Sequence, residues 1–174
     1  MRKGKTMINL PINGERVKIR YFEVKDYPSF LSFMLNEKST KYLMFAEEQK
    51  TEEGAKGLFD FVVASYNTND HIHSYAIVDE KSDIYIGSCG LSPYGDGIVE
   101  CYFSINEDFL GNNFATDALK LMIQSLSDSC EVRAYCSPEN SAAHAVLLKS
   151  GFANKGLSLH EHFKTEGCLF VYKK

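Results

Sequence analysis

Three alternating apolar runs lie almost back to back in the middle of the chain: HSYAIVDE at residues 73–80, IYIGSCGL at 84–91 and IVECYFSI at 98–105. Only short breaks separate them, at residues 81–83 and at the turn-rich SPYGDG of 92–97. Runs of period two at this spacing read as an antiparallel meander, and a meander needs a covered face. The flanking sequence carries helical periodicity. Upstream, a first strand is expected over residues 16–24 (RVKIRYFEV), then a helix that starts with Asp26 as side-chain cap and Pro28 in its first turn and runs to about Asn36. Ser39 is read as the cap of a short helical piece, STKYLMF, and Thr51 as the cap of a longer helix in which Leu58, Phe61, Val62 and Ser65 share a face. Downstream come a helix to about Ser127, a short strand EVRAYCS, a helix capped by Asn140 that ends at Gly151, and two last strands near residues 157–164 and 168–172. The pattern is α/β in the broad sense, a mixed and mostly antiparallel sheet flanked by helices.

With 174 residues, 44% of them hydrophobic and 24% charged, the chain is expected to form one domain over residues 1–174, with 1–7 a flexible N-terminus. The net charge of −4, with basic residues clustered only at Arg2-Lys3-Gly4-Lys5 and Lys173-Lys174, argues against a nucleic-acid partner. The five cysteines are odd in number and lack metal or redox spacing, as in a reduced, cytoplasmic protein. There is no cleavable leader pattern and no run long and apolar enough to span a membrane, so no membrane association is expected.

The joint between the third strand and the next helix, GNNFAT at residues 111–116, carries the chemistry. A helix N-terminus that follows such a joint presents unpaired N–H groups and the positive end of the helix dipole, a natural seat for phosphate. Neither the G-x-x-x-x-G-K-[ST] loop nor the G-x-G-x-x-G fingerprint is present, and a preceding meander is the wrong setting for both. The stretch GNNFATDAL is instead similar to the G-x-G-[YF]-[AG]-T-[ED]-A-L signature of the GCN5-related N-acetyltransferases. NSAAHAVLLKSGF at 140–152 resembles the second signature of that family, N-x-x-[SA]-x-x-[VL]-[LY]-x-K-x-G-F. VECYFSIN is similar to the strand that precedes the loop in the branch of the ribosomal-protein alanine N-acetyltransferases.

The resemblance covers residues from about 16 to the C-terminus and implies the acyl-CoA N-acyltransferase fold, its sheet splayed between the fourth and fifth strands. It implies acetyl-CoA as co-substrate, bound through the main chain of Gly111, Asn112, Asn113, Phe114 and Ala115 and the hydroxyl of Thr116. The main chain of Phe103 and Ile105 would hold the pantetheine, and Asn140 would contact the cofactor or the intermediate; the plain reading of Asn140 is a helix cap. The family loop is usually [QR]-x-x-G-x-[GA], whereas this chain has Leu110, Asn113 and Ala115 at its three defined positions. Asparagine tolerates the left-handed backbone that the inner glycine supplies elsewhere, although its side chain adds bulk beside the pyrophosphate.

The implied reaction moves an acetyl group to a primary amine by direct attack in a ternary complex. An ammonium must first lose a proton, so a base is needed. In alternating register Glu100 shares a face with Tyr102 and Ser104, opposite Val99, Cys101, Phe103 and Ile105, and Glu100 is the candidate base; the alternative is an exposed strand carboxylate. The acid is open. Family members often have a tyrosine where this chain has Leu147 or a serine where it has Ala143, and Ser141 and His144 lie nearby. In the resembling fold the segment after the first helix borders the acceptor site and the last-strand loop faces the same side, which makes Tyr42, Phe45 and Tyr102 candidates for that site, with the acids Glu47, Glu48 and Glu161 near it. The pairs His71/His73 and His160/His162 have a spacing that suits a metal, but the chemistry calls for none, so they are read as solvated or strand-edge residues. The acceptor is a protein N-terminal amine or a small amine. The alternative is a non-catalytic acyl-CoA-binding or regulatory domain, and a homodimer is a family-level expectation only.

Overall fold

The computed structural model describes residues 8–128 and 130–174; the flexible segment expected over residues 1–7 lies outside them. Eight strands form one sheet in the order β1-β2-β3-β4-β5-β6-β8-β7. They are β1 (Ile12–Asn13), β2 (Val17–Arg20), β3 (Ser74–Asp79), β4 (Tyr85–Gly95), β5 (Ile98–Ile105), β6 (Glu131–Cys136), β7 (Ala153–Leu159) and β8 (Glu166–Lys173). Every pairing is antiparallel except β5 with β6. The meander is β3 to β5. A register shift between Pro93 and Gly95 lets β4 run on to Gly95, which shortens the expected loop to a tight turn in which Gly97 takes φ 70°.

Helices α1 (Tyr27–Met34), α2 (Glu37–Thr40) and α3 (Glu52–Ser65) precede the meander, α4 (Phe114–Ser125) follows β5, and α5 (Ser141–Lys149) follows β6. α1 and α3 cover one face of the sheet, where Phe59 packs its ring against Phe22, Tyr27 and Phe30 at centroid distances of 5.3–5.6 Å. α4 covers the other, burying Leu119 and Met122 against Ile19, Ile77 and Cys89.

The first half departs from its local reading in three places. β2 stops at Arg20 because the Tyr66 hydroxyl enters where β2 and β3 part, accepting from the Phe22 N–H at 3.5 Å and donating to the Ser74 carbonyl. Asp26 makes no side-chain cap for α1, because a helical turn over Val24–Asp26 runs straight into that helix. Its buried carboxylate instead receives the Arg20 guanidinium at 2.8 and 3.0 Å. Asn36, not Ser39, caps the short α2, accepting from the amides of Lys38 and Ser39. Thr51 and Asn140 cap α3 and α5 as their sequences indicate.

The parallel pair fixes the place of the site. β5 and β6 are in register only at Ile98 with Glu131, Val99 with Val132 and Glu100 with Arg133. β5 then continues along β4 to Ile105, while β6 continues along β8 to Cys136. The sheet therefore opens into a wedge whose apex is Glu100, one arm leading to α4 and the other to α5.

Candidate functional site

On the wall of the wedge formed by β5, the main chain beyond Glu100 has no strand paired to its outer edge among the described residues. The carbonyl of Ser104 faces β4 so closely that a Cβ on Gly87 would stand 2.1 Å from it, and the Asn106 N–H donates to Ile86 at 2.9 Å. Alternate residues of a strand aim their main-chain groups at opposite edges, so Phe103 and Ile105 aim theirs away from β4 and into the wedge. Their side chains pack at the margin of the core under α4.

Beyond Ile105 a short turn, Glu107–Phe109, delivers the chain to the loop. Gly111 (φ 79°) and Asn113 (φ 61°) both take left-handed conformations, so asparagine here does what glycine does at the first position. No main-chain N–H from Gly111 to Thr116 reaches an acceptor among the described residues. The hydroxyl of the buried Thr116 likewise has no partner among them. The loop is held from behind by Arg16, which donates to the Asn112 carbonyl at 2.7 Å and to the Asp117 carboxylate at 2.7 Å and lies 4.9 Å over the Phe114 ring. The ammonium of Lys149, on α5, stands 3.4 Å from the Asn113 side-chain oxygen, which is thus turned toward the other arm. Unpaired amides, an orphan hydroxyl and an adjacent ammonium are a donor set that fits a phosphate.

At the apex, Glu100 projects on the same face as Tyr102. Its Oε2 lies 2.6 Å from Nε2 of His160, whose side chain is buried. Tyr102 crosses the bare backbone of Gly90, where a Cβ would meet its ring at 2.2 Å, and donates to the Ser74 hydroxyl. Tyr94, Tyr135 and Phe163 surround the His160 ring at 4.6–5.5 Å.

The wedge gathers Glu100, Phe103, Ile105 and the loop along one arm and places Asn140 on the other. The Asn140 side chain is already bonded to the Ala143 N–H at 3.2 Å. Leu147 lies wholly in the core. His144 is half-buried, its Nε2 3.1 Å from the Ser137 carbonyl. Phe45 packs at the edge of the core under α1 and α3, and Tyr42 carries the Lys41 ammonium 4.9 Å over its ring. Neither is brought to Glu100 by a hydrogen bond or ring contact among the described residues.

The reading of all four histidines as solvated or edge residues fails at His160, which is 4% exposed. His73 bonds the Tyr75 hydroxyl at 2.7 Å, and burial, with His71 alongside, disfavours its protonation. The reading also missed Arg16. Both oversights involve partners 60 or more positions apart, His160 with Glu100 and Arg16 with the loop, and no local pattern marks either.

The sequence model of the acetyltransferase (GNAT) domain matches residues 16–153. The chain belongs to the GNAT family. Its fold is similar to that of a GNAT-family acetyltransferase from Bacillus anthracis, with a TM-score of 0.74 at 19% identity over 94% of this chain and 98% of that one. It is similar also to the ribosomal-protein-S5-alanine acetyltransferase from Vibrio fischeri, with a TM-score of 0.72 at 15% identity over 95% and 97%. A third likeness is to the ribosomal L7/L12 alpha-N-protein acetyltransferase in complex with coenzyme A, with a TM-score of 0.76 at 12% identity over 94% and 97%. No curated protein matches the sequence. Within this GNAT chain the loop departs from the usual family pattern at Leu110 and Asn113, and the positive charge behind and beside it comes from Arg16 and Lys149.

Proposed function

We propose that this GNAT protein transfers the acetyl group of acetyl-CoA to a primary amine by direct attack within a ternary complex. One observation carries the reading: β5 and β6 part at Glu100 and leave a main-chain edge, unpaired among the described residues, that runs from a carboxylate to a loop whose amides are likewise unpaired among them. In this reading the main chain of Phe103 and Ile105 would pair with the amides of a pantetheine arm, as it would with an added strand. The amides of Gly111 to Ala115 and the Thr116 hydroxyl would meet the pyrophosphate.

Acetyl-CoA, when bound, supplies an activated thioester carbonyl. Glu100 takes one proton from the acceptor ammonium, the freed electron pair forms the new C–N bond while the C–S bond breaks and sulfur leaves with its pair, and the second proton that nitrogen sheds on becoming an amide goes to the departing thiolate or to water. Tyr102, on the same face, borders the acceptor, and Tyr42 and Phe45 would contribute from the segment after α2. The likeness in fold to two acetyltransferases of ribosomal proteins makes a peptide with a free N-terminal amine the first acceptor to test, with small amines beside it.

The core position of Leu147 favours a second reading. Where this family often has a tyrosine there is no hydroxyl to protonate a leaving thiolate, as expected of a non-catalytic acyl-CoA binder. Steady-state turnover of acetyl-CoA against a panel of peptides and small amines, with calorimetry alongside, separates the two. Glu100→Gln should lower kcat at least tenfold and leave acetyl-CoA affinity within about twofold. Binding by the wild type without turnover of any amine supports the binder, and absence of binding up to millimolar acetyl-CoA rejects both readings.

A further inference from the structure

We propose that His160 is the positioning residue of the Glu100 base, a neutral imidazole with its proton fixed on Nε2 that occupies one carboxylate oxygen and leaves the other for the acceptor. The inference rests on reading Glu100 as the base.

Its ground is the bonding of both ring nitrogens. Nδ1 of His160 lies 3.2 Å from the amide nitrogens of His162 and Phe163, and main-chain N–H groups can only donate. Nδ1 is therefore an acceptor, the ring proton sits on Nε2, and Nε2–H donates to Oε2 of Glu100 at 2.6 Å. A second proton on Nδ1 would turn two hydrogen bonds into repulsions. Oε1 of Glu100 has no hydrogen-bond partner among the described residues.

The imidazole is as fixed as its tautomer. Residues 160–165 form the turn between β7 and β8, closed by His160 N–H to Thr165 at 2.8 Å and Lys164 N–H to the His160 carbonyl at 2.8 Å. Tyr135, at a centroid distance of 4.6 Å, and Phe163, at 4.7 Å, hold the ring edge and face. The turn belongs to the arm opposite Glu100, so the bond crosses the wedge at the level of the reacting groups. A carboxylate on a half-exposed strand has several rotamers, and one held by a buried donor has one, which is how a neighbouring residue raises kcat without touching the substrate.

Two substitutions separate positioning from packing. His160→Asn keeps an oxygen near Nδ1 for the turn amides and cannot reach Glu100, whereas His160→Gln keeps an N–H near Nε2. With acetyl-CoA and the panel amine that the wild type turns over fastest, His160→Asn should lower kcat about tenfold with KM for acetyl-CoA unchanged. His160→Gln should recover most of that loss, and His160→Asn combined with Glu100→Gln should be no slower than Glu100→Gln alone. A wild-type kcat in His160→Asn, or additive losses in the double variant, would overturn the proposal. If Glu100→Gln itself keeps full kcat, the base reading has failed instead. Long-range ¹⁵N spectroscopy of the ligand-free protein at neutral pH should show His160 as the Nε2–H tautomer, and an Nδ1–H signal overturns the inference without any assay.

Discussion

Helices α4 and α5 stand on the two arms of one wedge, and both begin after an asparagine, but their first turns are satisfied in opposite ways. Asn140 (φ −83°, ψ 71°) turns its side-chain oxygen onto the Ala143 amide, an ordinary cap. Asn113 (φ 61°, ψ 16°) is left-handed, gives α4 no side-chain cap, and directs its oxygen toward Lys149. The same residue type thus closes one helix and leaves the other open, and backbone conformation decides which. An open first turn inside a folded protein leaves roughly half a positive charge and several donors without a partner in the chain. Gly111 to Asn113 are exposed, so those donors face water and are open to an anion that approaches from outside.

The largest test of this contrast is a charge at Asn113. Aspartate tolerates the left-handed backbone nearly as well as asparagine, so Asn113→Asp should fold normally. It should weaken acetyl-CoA binding at least tenfold, about 1.4 kcal/mol, by setting a carboxylate against the pyrophosphate. Asn113→Gly should bind as well as the wild type or better, because it keeps the backbone and removes bulk. Calorimetry on the three proteins decides; equal affinity for Asp and Asn would show that the open turn is not where phosphate sits.

Asn140 sharpens the contrast from the other side. Asn140→Ala removes a true cap and should cost about 1 kcal/mol of stability, a fall in Tm of about 2–4 °C for a chain of this size. Asn113→Gly should show no comparable fall. If Asn140→Ala melts with the wild type but loses kcat, Asn140 serves the reaction rather than the helix.

Much of this arrangement is legible in the sequence. The change of hydrophobic period marks the meander, and the caps at Thr51 and Asn140 are local chemistry within three or four residues. The tolerance of Asn113 for a left-handed turn is likewise intrinsic to its side chain. What was not legible is set by distant parts of the chain. Asp26 has the local marks of a cap, but a buried guanidinium six residues back, Arg20, claims its carboxylate. Arg16 lies 96 positions before the carbonyl that it holds, and His160 lies 60 after the carboxylate that it meets. An i, i+2 histidine pair says nothing about which member the fold will bury, since that depends on how the β7–β8 turn crosses the wedge.

The smallest expected effect is the most pointed, because its two readouts should move in different directions. Thr116 is the third residue of α4, 7% exposed, and its hydroxyl meets no partner among the described residues. A buried hydroxyl without a hydrogen bond is a desolvation cost. Thr116→Val keeps the shape and the branched Cβ and removes that cost, so the ligand-free protein should melt at the wild-type temperature or slightly above it. If the hydroxyl is kept for phosphate, the same substitution should weaken acetyl-CoA three- to tenfold, about 0.7–1.4 kcal/mol, the worth of one hydrogen bond. A residue held only for packing cannot raise stability and lower affinity at once. Should Tm rise while affinity stays, the hydroxyl has no part in binding, and the open end of α4 meets its phosphate through main-chain amides alone.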